Sequence, residues 1–261
     1  MSDAEPRDDT NMQEIITAFV NQYGLTKAEV MAEIENAFST LLSRWYRLPV
    51  MVFFRNDFRL EAVAYNDKGG IVMQRPIDLA EMKGRKTILR YLEDSLAKAA
   101  VLKETVVYKK LEKQLRWGEI IGRDLEGNFL LETEMIPGEA VIAICPLNRI
   151  GVHERNSDSF HVGQRRAFHL RLIEPVSVNG TSRLKVVMDR VSKTLVENLL
   201  KERLDGSTEK IKIRCLKRYV GHKSMVLTTR QLPKAAIIAV DRELKERVQV
   251  RIVKDLWADP C

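Results

Sequence analysis

The sequence predicts a multidomain α+β protein: a helix-rich α+β segment, an all-β segment and a short basic α/β unit. Three observations carry this. Apolar residues recur at helical spacing through residues 11–46 and again over 79–114. At Trp117 the period falls to two and stays there to about residue 189. Beyond Ser192, helix and strand patterns alternate again in a stretch crowded with Lys and Arg. The expected modules are therefore 11–114, 115–190 and 191–261, behind a polar, acidic lead over 1–10 that reads as disordered and unlike a secretory signal.

Each element has its own warrant. "MQEIITAFVNQY" is a short helix closed by Gly24. Thr26 and Glu29 have capping-box spacing, with Leu25 and Val30 as the hydrophobic staple. The helix they open carries Val30, Ile34, Ala37, Leu41 and Trp45 on one face. "PVMVFFRNDFRLEAVAYNDKGGIVMQ" is a meander turning at Asn56-Asp57 and at "NDKGG". A long helix follows, with Ile88, Leu92, Leu96 and Ala99 in its stripe.

From Trp117, five short strands are broken at Glu126-Gly127, at Pro137-Gly138 and at the hairpin signal Asn179-Gly180. Five strands in so short a span suit a closed barrel of the OB type, because they are too few to bury two sandwiched sheets. "SKTLVENLLKERLDG" is a helix with Leu195, Leu199 and Leu200 on one side and Gly206 at its end. "KIKIRCLKRY" and "KSMVLTT" flank a Val220-Gly221-His222 turn, and a helix and "VQVRIV" complete a β-β-α-β unit.

Composition narrows the function. Lys plus Arg number 43 against 36 Asp plus Glu, a net charge of +7 that favours a polyanionic partner. Cys145, Cys215 and Cys261 are scattered and odd in number, as in a reducing cytoplasm. No apolar run approaches membrane-spanning length. His153, His161, His169 and His222 lack a closely spaced ligand partner, so neither metal nor cofactor is expected. None of the common nucleophile, phosphate-loop or zinc-hydrolase motifs occurs, and the chain is expected to be a non-enzymatic monomer.

Two clusters point to RNA. In the barrel, Phe129 follows "GN" in the second strand, and Phe160, Arg165, Arg166, Phe168 and His169 cluster near the fourth, the mixture that stacks bases and neutralises phosphates. Each phenylalanine taken singly also suits the barrel core. In the last unit, Lys210, Lys212, Arg214, Lys217, Arg218 and Lys223 gather on the first strands and turn. Lys210, Lys212 and Arg214 alternate and so share a face, as a phosphate-tracking stripe or a solvated surface.

The order of these parts resembles the bacterial transcription elongation factor NusA family. "LEKQLRWGEIIGRDLEGNFLLETEMIPGEAVI" looks like that family's passage from helical linker into its RNA-binding barrel. "VVMDRVSKTLVENLLKERLDG" looks like the barrel exit. "EKIKIRCLKRYVGHKSMVLTT" and "ERVQVRIVKDLWADP" look like the opening and closing strands of its first KH domain. The family's KH domain grips RNA with a G-x-x-G turn between two helices, yet "TTRQLPKAAIIAVDRELKER" is too short for both and holds no glycine. The family also continues into a second KH domain where this sequence stops, so the chain resembles a truncated, divergent relative with a degenerate KH-like unit.

The resemblance implies a regulator of elongation, termination or antitermination. Its N-terminal domain would dock on core RNA polymerase near the RNA exit channel, with Lys83, Arg85, Lys86 and Arg90 near nucleic acid. Its barrel and KH-like unit would meet nascent single-stranded RNA. Two rivals are a free RNA-binding protein acting on message or ribosomal RNA, and a protein-interaction adaptor that has lost RNA.

Overall fold

A computed structural model describes residues 9–77, 84–155, 157, 158, 160–204 and 211–254. Within them the chain is mixed α+β, with six α-helices and three sheets. Contacts divide it into two units, 1–104 with 175–183, and 105–174 with 184–261. Barrel residues 115–174 and 184–190 fall in the same unit as the basic C-terminal part.

The first unit opens with α1 (Asp9–Tyr23) and α2 (Lys27–Tyr46). The capping box forms as expected: Glu29 N–H donates to Thr26 Oγ1, and Thr26 N–H to Glu29 Oε2 at 2.6 Å. The Lys103 ammonium, 2.8 Å away, and these Thr26 bonds pull the Glu29 carboxyl down to about 2. Val30, Ile34, Ala37, Phe38, Leu41 and Leu42 form the buried face of α2. Trp45 does not join it: at the end of the helix its ring lies over Gly84, 41% exposed. The strands β1 (Val50–Phe54), β2 (Leu60–Tyr65) and β3 (Ile71–Pro76) pair in that order, all antiparallel. The long helix α3 (Arg85–Lys109) follows, its Ile88, Leu92 and Leu96 packing with α2.

β4 (Leu115–Arg123), β5 (Phe129–Ile136), β6 (Glu139–Cys145), β7 (Arg165–Val178) and β8 (Thr181–Asp189) close into a barrel, and all of it except residues 175–183 belongs to the second unit. Around it the order is β4-β5-β6-β8-β7, and β7 returns to β4. Most neighbours are antiparallel; β6 and β8 meet in parallel through Ile144 and Val187. At the β7–β8 hairpin Asn179 and Gly180 both take positive φ, 52° and 79°, which asparagine and glycine reach at least cost. A 3-10 turn (Leu147–Arg149) and the one-turn helix α4 (Val152–Arg155) link β6 to β7.

The chain leaves the barrel at Arg190 and enters α5 (Lys193–Glu202), capped by Ser192, whose hydroxyl accepts from Leu195 N–H. The antiparallel pair β9 (Ile213–Tyr219) and β10 (Lys223–Thr228) comes next, then α6 (Lys234–Leu244) and β11 (Arg247–Ile252). β11 lies parallel to β10 on its far side, giving the order β11-β10-β9. Leu195, Leu199, Val226, Val240, Leu244 and Val248 pack together between the helices and the sheet. Ala167 of β7 is buried in the same cluster, with Leu115 and Trp117 of β4 against it. That shared core is why the barrel and the α/β part are one unit.

Candidate nucleic-acid interface

Parity along the three-stranded sheet separates two faces. Ile213, Cys215, Ser224, Val226 and Val248 point toward α5 and α6 and are buried. The residues between them point the other way, and the strand register sets them in rows: Tyr219–Lys223–Arg247, Lys217–Met225–Gln249 and Arg214–Leu227–Arg251. A bulge on β9 at Leu216 keeps Lys217 and Tyr219 on the same face as Arg214. Lys212 extends the face by one more step, its amide held by Thr229 Oγ1. Every charged side chain in these rows is cationic. Lys223 Nζ sits 5.9 Å from the Tyr219 ring centroid, and Tyr219 is 50% exposed.

The candidates from sequence fall on both sides of this division. Lys212, Arg214, Lys217 and Lys223 share the open face. Arg218 does not, and its expected role is corrected: its Nε donates to Glu246 at 2.8 Å and its Nη1 to the Ser192 carbonyl, under the sheet. Ser224 Oγ donates to the same carboxylate at 2.7 Å, so Arg218 is structural. Lys210 lies outside the described residues. Period-two alternation in "RVQVRI" was the available signal for Arg247 and Arg251, which sequence reasoning passed over along with Tyr219.

The barrel aromatics are corrected in the same way. Phe129, Phe160 and Phe168 are 1%, 4% and 0% exposed and stack edge-on to one another inside the barrel, with centroids 5.4 and 6.2 Å apart. Closing five strands requires large side chains within, and these three fill that volume. None offers a ring face to a base. His169 is also buried, 3.1 Å from Asp189. Burial alone would raise the Asp189 carboxyl, but His169 and the bonds from Ser192 hold it below the ordinary value. Arg166 reaches Glu243 at 3.4 Å, whereas Arg165 is exposed at the start of β7.

Two guanidinium groups lie against the aromatics: Arg123, 4.2 Å from the Phe129 centroid, and Arg190, which is fully buried and 5.0 Å from the Phe160 centroid. Arg190 makes the larger set of bonds. It donates to both Glu154 oxygens, to Glu243 Oε1 at 2.9 Å, and to the Ala167 and Glu243 carbonyls. Burial disfavours its charge, yet the two carboxylates more than offset this and keep it protonated. Glu154 follows the barrel strand β6 and Glu243 lies on α6, so this cluster fixes the basic sheet to the barrel.

The outer side of β4 and β5 has the opposite charge. Glu119 and Glu132 are cross-strand partners there, both exposed, and Glu132 also pairs with the exposed Ile142 of β6. In the first unit Arg85, Lys86 and Arg90 are exposed at the start of α3; Lys83 lies outside the described residues. No helix among the described residues is long and apolar enough to cross a membrane. Among them, no group of three or more His, Cys, Asp or Glu is placed to hold a metal ion. Comparison with known proteins returned no matching family model and no matching curated protein.

Proposed function

We propose that the chain is a non-enzymatic, RNA-binding regulator of transcription of the NusA type, a cytoplasmic protein acting on core RNA polymerase. The observation that carries this is the succession of parts. A helix-rich unit with a three-stranded sheet precedes a five-strand barrel of order one-two-three-five-four, and a β-β-α-β module with one parallel pair follows. That barrel order, with its third and fifth strands parallel, suits the OB type, and the last module suits a KH-like sheet.

Within this reading the first unit docks on polymerase near the RNA exit channel, and Arg85, Lys86 and Arg90 face nucleic acid. RNA contact falls chiefly to the basic sheet. Oligonucleotide-binding barrels customarily use the outer face of their second and third strands. Here that face carries Glu132 and Glu134 and repels phosphate. The barrel then serves to position the sheet through Arg190.

The adaptor reading draws support from β3, which exposes Ile71, Val72 and Met73. Co-purification of the tagged full chain with core polymerase, with and without nuclease, tests the proposal. Retention that survives nuclease is expected. Absence of polymerase from the eluate would remove the transcriptional reading, and RNA without polymerase would favour the free RNA-binding protein.

A further inference from the structure

We propose that the open face of β9, β10 and β11 binds an extended single strand of RNA, with Tyr219 stacking on a base and Arg247 and Arg251 on alternate phosphates. This deepens the reading of the chain as an RNA-binding regulator and rests on it. The site is distinct from a G-x-x-G clamp, since residues 229–246 hold no glycine.

Geometry selects the strand form. Same-face residues of one strand lie roughly 6.6 Å apart, and neighbouring strands about 4.8 Å apart. Arg247 and Arg251 are four residues apart on β11, with the uncharged Gln249 between them in the middle row. The spacing of rows is comparable to that of phosphates along a stretched single strand. A duplex presents a convex, rigid backbone and buries its bases in the stack, so it cannot offer one to Tyr219.

The chemistry of the rows agrees with this. Tyr219 is the one aromatic in them, and it stands beside cations in its own row: Lys223 lies across β10 and Arg247 across β11. Exposed Met225 in the adjacent row continues an apolar floor on which a base edge can rest. An aromatic face flanked by cations is the sequence-tolerant platform of single-strand binders, and it demands no base-specific hydrogen bonds. Discrimination among sequences is therefore expected to be slight.

The test measures binding of the full chain to a 12-nucleotide single-stranded RNA, and to the same sequence annealed to its complement, across a salt series. The single strand is expected to bind more tightly. Tyr219→Leu is expected to weaken it by between about five-fold and a hundred-fold, the range seen for loss of one stacked base. Tyr219→Phe is expected to retain it. Arg247→Gln with Arg251→Gln is expected to flatten the slope of log K against log salt by about 1.4, or about 0.7 per lost contact. Each altered side chain is exposed, so unchanged circular dichroism melting is expected to confirm folding.

Equal affinity for single strand and duplex would overturn the proposal, as would Tyr219→Leu binding like the parent. The outcomes separate it from the broader reading. Polymerase retention with RNA binding indifferent to these variants overturns this inference alone. RNA binding that follows them without polymerase retention overturns the transcriptional reading alone.

Discussion

The Arg190 guanidinium is excluded from water and shared between Glu154 and Glu243. Removing one member of such a set strands buried charge, which costs about 3–5 kcal/mol. Arg190→Met is therefore expected to lose that much in urea denaturation of the full chain. Replacing Glu154 and Glu243 by Gln in the same protein is expected to return a substantial part of it. Little of this was legible in sequence, because Arg190 meets partners 36 and 53 residues away and nothing local marks it as buried. Asp189 gives a pH test at the same scale. Its folded carboxyl sits below the ordinary 3.8, so its contribution is complete above that value and is lost as pH falls through the lower folded one. The stability difference between the parent and Asp189→Asn is expected to hold at neutral pH and to shrink below about pH 4, followed by acid titration of the fluorescence signal.

Local chemistry made most elements readable. The Thr26–Glu29 capping box, the Asn179-Gly180 hairpin and the Ser192 cap all form where residue type demands. Thr26→Ala is accordingly expected to cost about 1 kcal/mol, measured by thermal melting. The segment before α6 packs into the core. Leu232 is 4% exposed in the core beneath the sheet, so Leu232→Gly is expected to lower stability by about 2 kcal/mol or more without improving RNA affinity. What the strands did not disclose was which of their two faces lay in the core. Period-two alternation gives the same pattern for a phenylalanine inside a closed barrel as for one on its surface. Only closure, a property of all five strands together, assigned Phe129 and Phe168 to the interior; Phe160 joins them from the connection before β7.

At the scale of the molecule, the order of elements was legible, and the contacts that join them were not. The change of period at Trp117 and Ser192 marks real transitions, but Ala167 and Arg190 bind the barrel to the α/β module across them. A fragment beginning at residue 191 would expose that core and leave Glu243 without Arg190. It is expected to give poorly dispersed NMR spectra, whereas residues 105–261 are expected to unfold in one cooperative transition. The most direct test of RNA contact during transcription is photo-crosslinking within a halted elongation complex carrying a labelled transcript. A photoreactive residue is placed at position 247 on the basic sheet or, for comparison, at position 142 on the acidic side of the barrel. Crosslinks from 247 to the emerging transcript, with few from 142, are the expected result. Crosslinks to RNA from neither position, or from 142 alone, would contradict the role assigned to the sheet.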